Sequence, residues 1–166
     1  MGLRMAYDPR SIANIVLDIA DSSGIPITNL ALNKILYFLH AWYLAHFNRP
    51  LIDAKIEAWD YGPVIREVYS EFKQHGSSEI KGRAQRFDVD KLQQVLCQDS
   101  VSPADLLFIR DQFSRYGHLG VGKLVSMSHE KGGPWDNVYN ASGRVNPGMH
   151  ISDELIRAYF SQQTRH

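Results

Sequence analysis

The sequence predicts a mainly α-helical protein: a compact helical domain around one buried central helix, with at most a small two-stranded β element. Residues 30–47 contain neither Gly nor Pro and are apolar on almost every side of a helix, which is typical of a helix in the middle of a domain. Helix-start signals recur along the rest of the chain. The clearest alternating, aromatic pattern is the short stretch 55–61.

The first two helices have well-marked starts in the sequence. Asp8 and Pro9 provide an N-cap and a first helical residue, and Gly24 is a natural end for this helix. Thr28 is the expected N-cap of the central helix, which continues to Phe47. This helix is too short and too polar to cross a bilayer, because about 20 largely apolar residues are needed for a span.

Most of the predicted β content lies in the middle of the chain. Residues 55–61 alternate as a short strand, and Pro63 is well placed as the first residue of a new helix that ends at residues 75–76. Residues 78–81 are expected to return as a second strand and to complete a small hairpin-like sheet. Asp90 and Gln93 resemble a capping box, which predicts a short helix through residue 97.

Further helices and one loop are predicted in the last third of the chain. A helix starts at Ser102 and Pro103 and ends at Gly117, and another covers residues 121–129. Residues 140–148 form a turn-rich loop, and Ser152 caps the last helix.

Length and composition favour a globular protein of one domain, covering residues 1–166 with a core of about residues 9–162. Lys plus Arg and Asp plus Glu number 18 each, so the formal net charge is +0, which argues against nucleic acid as a partner. The single cysteine, Cys97, excludes an internal disulfide framework and fits a reducing compartment. The N-terminus lacks the apolar core of a signal peptide, so we expect a cytoplasmic protein with no membrane partner.

One stretch leaves an enzymatic function open. Residues 117–123 have the Gly and Lys spacing of a phosphate-binding loop, but Leu124 replaces the hydroxyl residue that would hold magnesium. A turn between two helices explains the same residues more simply. A small hydrolase or nucleotide-using enzyme built on this turn, Tyr37 and His40 remains the alternative. The histidines show no metal-ligand spacing, and we expect no metal, cofactor or catalytic residue.

The aromatic run from Trp59 to Pro63 is the strongest candidate for a binding surface. Burial in the core is the simpler explanation of its aromatic residues, and the alternative is a concave corner that presents Asp60 and a helix N-terminus to a partner. Trp135, which follows Gly132, Gly133 and Pro134, has the same two explanations.

Three separated strings of residues together resemble one family. The first is the helix Leu32–Leu44, the second is Pro50–Leu51 with Ile56–Val64 leading into Val68 and Tyr69, and the third is Ser128–His129 followed by Pro134–Trp135. This pattern is similar to that of the Panacea domain family, the SocA-like and GepA-like phage-associated antitoxins. In the first string, Asn33 stands where the family usually has Gln.

The resemblance implies a mostly helical antitoxin that neutralises a cognate protein toxin, encoded by an adjacent gene, by direct binding. The SocA-like branch implies an alternative, an adaptor that delivers the toxin to an ATP-dependent protease. The resemblance also implies that the central helix packs against residues 57–64. The implied signature or partner-binding residues are Asn33, Lys34, Tyr37, His40, Glu57, Trp59, Asp60, Tyr61, Gly62, Pro63, Val64, Tyr69, His129, Pro134 and Trp135.

Overall fold

The structure is a computed structural model that describes residues 6–141 and 147–163, and the predicted mainly α-helical class is confirmed within them. Its α-helices are α1 (Pro9–Ser22), α2 (Asn29–Phe47), α3 (Arg66–Phe72), α4 (Pro103–Tyr116), α5 (Val121–Ser128), α6 (Pro134–Tyr139) and α7 (Asp153–Gln163). Its strands are β1 (Ile56–Trp59), β2 (Gly62–Ile65), β3 (Gln85–Asp88), β4 (Gln93–Leu96) and β5 (His150–Ile151). The loop predicted at 140–148 lies largely outside the described residues.

The predicted N-caps of four helices are present. In each case a side-chain oxygen accepts a backbone N–H of the first turn, which would otherwise have no partner. The caps are Asp8 for α1, Thr28 for α2, Ser102 for α4 and Ser152 for α7, with N···O distances of 2.9, 3.2, 3.2 and 3.1 Å.

Helix α2 packs against α1, α3, α4, α5, α7 and β2. From Ala31 to Leu44 every side chain is buried except Trp42, which is half-buried. Burial of each large apolar side chain, such as Ile35 or Leu39, contributes about 1.5–3 kcal/mol. The helix ends at Phe47: the N–H of Asn48 still bonds the carbonyl of Leu44, and the left-handed backbone of Asn48 (φ 56°) turns the chain out of the helix. Within the described residues, no helix combines the length and the apolar character needed to cross a membrane.

The β content exceeds the predicted two-stranded element. Strands β2, β1 and β5 form an antiparallel three-stranded sheet in that order, and β3 and β4 form a separate two-stranded sheet. The predicted start of the third helix at Pro63 is wrong, because Pro63 lies in β2 and α3 starts at Arg66. The predicted end at residues 75–76 is confirmed, because α3 continues as a 3-10 turn over Lys73–His75. The β-branched residues Val64 and Ile65 pair with β1, and an edge strand tolerates a residue without an N–H.

Two further local predictions in the middle of the chain are wrong. Residues 78–81 do not pair with β1; instead Glu79 forms an isolated bridge with Thr28. The helix predicted over residues 90–97 is replaced by β4. The carboxylate of Asp88 accepts the N–H groups of Asp90 and Lys91, so it closes a hairpin turn in which Asp90 is not a helix cap.

Candidate functional site

The candidate site is the tip of the β1–β2 hairpin (residues 56–65). Trp59 pairs with Gly62, so Asp60 and Tyr61 form a two-residue turn at the surface. Tyr61 is 68% exposed, the most exposed aromatic side chain of the described residues. Beside it lies a largely apolar groove of about 390 Å³. The groove is lined by Leu30, Trp59, Asp60, Tyr61, Val64 and Tyr69.

Asn33 attaches strand β2 to helix α2. Its side-chain oxygen accepts the backbone N–H of Ile65 at 3.0 Å, and its amide nitrogen donates to the carbonyl of Asn29. Asn33 is fully buried, and the hydrogen bonds compensate for the desolvation of its polar atoms. The shorter amide at this position, where Gln is usual in the family, therefore reaches the strand.

Lys34 makes the second polar link between α2 and β2. Its Nζ donates to the carbonyl oxygen of Pro63 at 3.0 Å, and the side chain is completely buried. Burial lowers the pKa of Lys34 to about 7, because the charged ammonium loses its hydration. Among the residues that the structure describes, no carboxylate pairs with Lys34, and burying an unpaired amine costs stability. The hydrogen bond to Pro63 fixes the position of the hairpin at that cost.

Gly62 lies where the hairpin, α2 and the end of α5 converge. A Cβ atom at this position would lie 2.6 Å from Oγ of Ser128 and 2.7 Å from Cε of Lys34. The φ angle of Gly62 is +110°, which residues with a Cβ rarely adopt. Only glycine therefore allows both the tight turn and the close packing.

Three stacked rings support the other side of the turn. The ring of His129 stacks on Trp135 at 3.8 Å, and Trp135 stacks on Tyr139 at 4.6 Å. Nε1 of Trp135 donates to the carbonyl of Trp59 at 2.8 Å, and the hydroxyl of Tyr139 donates to the carboxylate of Asp60. The stack thus holds the first half of the turn, at Trp59 and Asp60, by hydrogen bonds from its aromatic side chains.

His129 is placed against the turn and close to the Lys34 amine. Burial lowers the pKa of His129, the nearby Lys34 lowers it further, and a hydrogen bond with the Tyr61 backbone opposes both. Its buried Nε2 has no hydrogen-bond partner within the described part of the chain. A neutral imidazole is the form that fits beside an amine and stacks on Trp135.

The outer face of β1 carries a charged cluster. Glu57 accepts hydrogen bonds from Nε1 of Trp59 (2.8 Å) and from Arg66 (2.9 Å). Partial burial works to raise the pKa of Glu57, but the hydrogen bonds from Arg66 and Trp59 outweigh it and lower the pKa.

Tyr69 packs edge-on against Trp59, with ring centroids 5.0 Å apart, so the indole of Trp59 is fixed as one wall of the groove.

Tyr37 and His40 are engaged in the core. Tyr37 packs edge-on against Phe38 and Phe160, and burial raises its pKa. Nε2 of His40 lies 2.8 Å from the carboxylate of Asp153, and Nδ1 accepts the N–H of Ile52 at 3.4 Å. The accepting role of Nδ1 assigns the ring proton to Nε2, so His40 ties α2 to α7 and to the segment before β1.

The sequence prediction missed Tyr139 and Arg66, which complete the site. Tyr139 follows Trp135 by four residues on α6, and this spacing on a helix was the signal that could have found it. The remaining signature residues have packing positions: Val64 is buried in β2, and Pro134 is the first residue of α6. The turn 117–123 joins α4 to α5, whereas a phosphate-binding loop follows a strand.

Helices around a small sheet with an exposed aromatic turn define a candidate binding protein. Comparison with known protein sequences identifies its family. The sequence model of the family described as "Antitoxin SocA-like, Panacea domain" matches residues 32–136, and the chain belongs to this family. It is 37% identical over 163 residues to Antitoxin SocA of Caulobacter vibrioides (strain NA1000 / CB15N), an alignment that covers 95% of this chain and 85% of that protein. No solved structure matches the chain. The resemblance predicted from the three strings is confirmed.

Proposed function

We propose that this protein is an antitoxin that neutralises a cognate protein toxin by direct binding in the cytoplasm, and that the toxin docks on the tip of the β1–β2 hairpin. Membership of the antitoxin family carries the first part of the proposal. The exposure of Tyr61 beside an apolar groove supports the second part.

The composition of the tip suits a protein partner. Tyr and Trp are enriched among residues that dominate binding energy at interfaces, and the tip offers Tyr61 with Trp59 and Tyr69 beside it. The hairpin is already held by Asn33 and Lys34, so little ordering of the backbone is required on binding. A rigid aromatic tip therefore gives the toxin a preformed contact surface.

The same geometry supports a non-enzymatic role. The arrangement that most resembles a catalytic group consists of Lys34, Ser128 and His129. These side chains surround the backbone of Gly62, not an open pocket. Nζ of Lys34 donates to Pro63, and Oγ of Ser128 donates to the Val125 carbonyl. Because the hairpin backbone fills the space between these side chains, we assign them to positioning of the hairpin.

The test is co-expression with the product of the adjacent gene, comparing Tyr61→Ala with a matched control, Leu107→Ala. Leu107 is 69% exposed on α4, so both variants remove a large apolar side chain from the surface. We expect Tyr61→Ala to weaken the purified complex by about 30-fold and to lose protection against toxicity, whereas Leu107→Ala keeps both. Full protection by Tyr61→Ala would overturn the docking site, and a harmless neighbouring product would overturn the antitoxin proposal.

Toxin half-life separates binding from delivery to an ATP-dependent protease. Neutralisation by occupancy predicts that the half-life of the toxin is unchanged or longer when this protein is present. If the toxin disappears faster, and if protection requires the protease, the adaptor alternative replaces the proposal.

A further inference from the structure

The β3–β4 hairpin (residues 85–96) is a second exposed element with a concentration of apolar surface. Four large apolar side chains of this short segment are exposed to solvent: Phe87, Val89, Leu92 and Leu96. In the part of the chain that the structure describes, its sheet has only two strands. A lone two-stranded hairpin is marginally stable in water, so an additional strand at its edge would stabilise it.

The outer edge of β3 offers the backbone groups of one residue, Phe87, for such a strand. Gln85 donates its N–H to Oε1 of Glu71 at 2.9 Å, so this N–H points away from β4. Backbone groups two residues apart in a strand point to the same edge. The N–H and C=O of Phe87 therefore face outward on the edge opposite β4.

The sequence of β3 is complementary to itself in antiparallel register. If Phe87 lies opposite Phe87 of a second copy, Arg86 lies opposite Asp88 of that copy, and the reverse pair forms by symmetry. Neither Arg86 nor Asp88 makes an ion pair with any residue that the structure describes. Asp88 uses Oδ1 to accept two backbone N–H groups of its turn, which leaves Oδ2 for a partner cation.

We propose that β3 is a homodimer interface, in which two copies of this chain pair antiparallel about a twofold axis at Phe87. The two hairpins then form one four-stranded sheet, with two Arg86–Asp88 pairs on one face and the two Phe87 rings adjacent on the other. The proposal uses no residue of the β1–β2 hairpin and does not depend on the antitoxin function.

Sedimentation velocity of the full chain over a range of concentrations tests the dimer. We expect wild type to show a concentration-dependent monomer–dimer equilibrium, and Arg86→Asp and Asp88→Arg each to weaken it at least about tenfold through like-charge pairs. A 1:1 mixture of the two variants should dimerise again, because both cross-strand pairs are then opposite in charge. Arg110→Asp on α4 is the matched control and should leave the equilibrium unchanged.

Phe87→Ser provides a second variant that keeps the Asp88 turn intact. It should also dissociate the dimer, and hydrogen exchange at the Phe87 amide should slow with protein concentration in wild type only. A wild type that stays monomeric at all concentrations, or a mixture of variants that fails to dimerise while both remain folded, would overturn the proposal.

Discussion

The two β-hairpins of this protein present aromatic residues at the surface in different ways. The β1–β2 hairpin carries Tyr61 and is tied to α2 by the buried side chains of Asn33 and Lys34. The β3–β4 hairpin carries Phe87, and its strands contain no residue bonded by α2 among the hydrogen bonds of the described chain. The β1–β2 hairpin is bonded to α2 within its own strand β2, whereas the β3–β4 hairpin is held at its base, where buried Asn14 of α1 bonds Ala84 and Cys97.

The difference between the two hairpins shows that an exposed aromatic residue can lie on a hairpin that the core holds rigid. Burying an amine costs stability, yet Lys34 is kept where it fixes a carbonyl of the β1–β2 hairpin. A preordered tip loses less conformational entropy when a partner binds. Among the described residues, the links of the β3–β4 hairpin to the helices lie at its base, at Ala84, Gln85 and Cys97. A partner strand would therefore contribute more to the order of its outer part.

The largest effect that would test this comparison is expected for Gly62→Ala. The new Cβ would lie 2.6 Å from Oγ of Ser128 and would need a φ of +110°. We expect the free energy of unfolding to fall by about 3 kcal/mol or more, from combined overpacking and backbone strain. Urea unfolding monitored by tryptophan fluorescence measures the change.

Gly82→Ala is the matched control, because Gly82 precedes β3 and also has a positive φ, +92°. A Cβ on Gly82 meets nothing within 4 Å, so only backbone strain remains, and we expect a loss of about 1 kcal/mol. Equal losses for the two variants would show that packing around the β1–β2 turn is no tighter than around β3.

The features that local chemistry specifies were predictable from the sequence. Asp8, Thr28 and Ser152 accept hydrogen bonds from N–H groups two or three residues ahead, so the capping signal and its structure lie within one turn. The mainly α class followed from these signals and from the composition of residues 30–47.

The errors arose where the formation of a hairpin overrode a helix-start signal. Pro63 is a good first residue for a helix, but Val64 and Ile65 pair with β1 and extend the chain as a strand. Asp90 and Gln93 have capping-box spacing, but the carboxylate of Asp88 closes a turn first. Single-sequence patterns do not report such competition between a helix start and a strand partner.

The aromatic run from Trp59 to Pro63 stood out in the sequence itself, but the side chains that support it were predictable only through the family resemblance. It grouped Lys34 with Gly62 and His129, which the structure brings together although they are distant in sequence. Tyr139 was missed because the third string of signature residues ended at Trp135, whereas the ring stack continues one helical turn further. Signature residues identify the contacts that family members share. They do not identify further residues, such as Tyr139, that join those contacts.

A smaller effect, specific to the anchored hairpin, is expected from the pH dependence of Lys34→Met. The folded pKa of Lys34 is about 7, below its usual value of 10.5, so between these values the unfolded chain binds more protons. Wild-type stability should therefore rise with pH in this window, by about 2 kcal/mol between pH 7 and pH 9 relative to Lys34→Met. Urea unfolding of both proteins at the two pH values measures the difference.

Lys81→Met is the control for that experiment, because Lys81 is exposed and forms a surface ion pair with Glu79. It should keep the wild-type rise in stability with pH. Parallel pH profiles for wild type and Lys34→Met would mean that the amine is not buried uncharged, and they would remove the electrostatic difference between the two hairpins.

The smallest effect is expected for Tyr139→Phe, which removes the hydrogen bond to Asp60 and retains the ring stacked on Trp135. Global unfolding should change little, because the bond lies at the surface. Amide hydrogen exchange at Asp60 and Tyr61 should quicken roughly threefold, because local opening of the turn loses one stabilising contact. Tyr159→Phe, whose hydroxyl makes no hydrogen bond with the described residues, should leave that exchange unchanged. Unaltered exchange in Tyr139→Phe would show that Trp135 and α2 suffice to hold the tip, so that the third ring of the stack contributes packing alone.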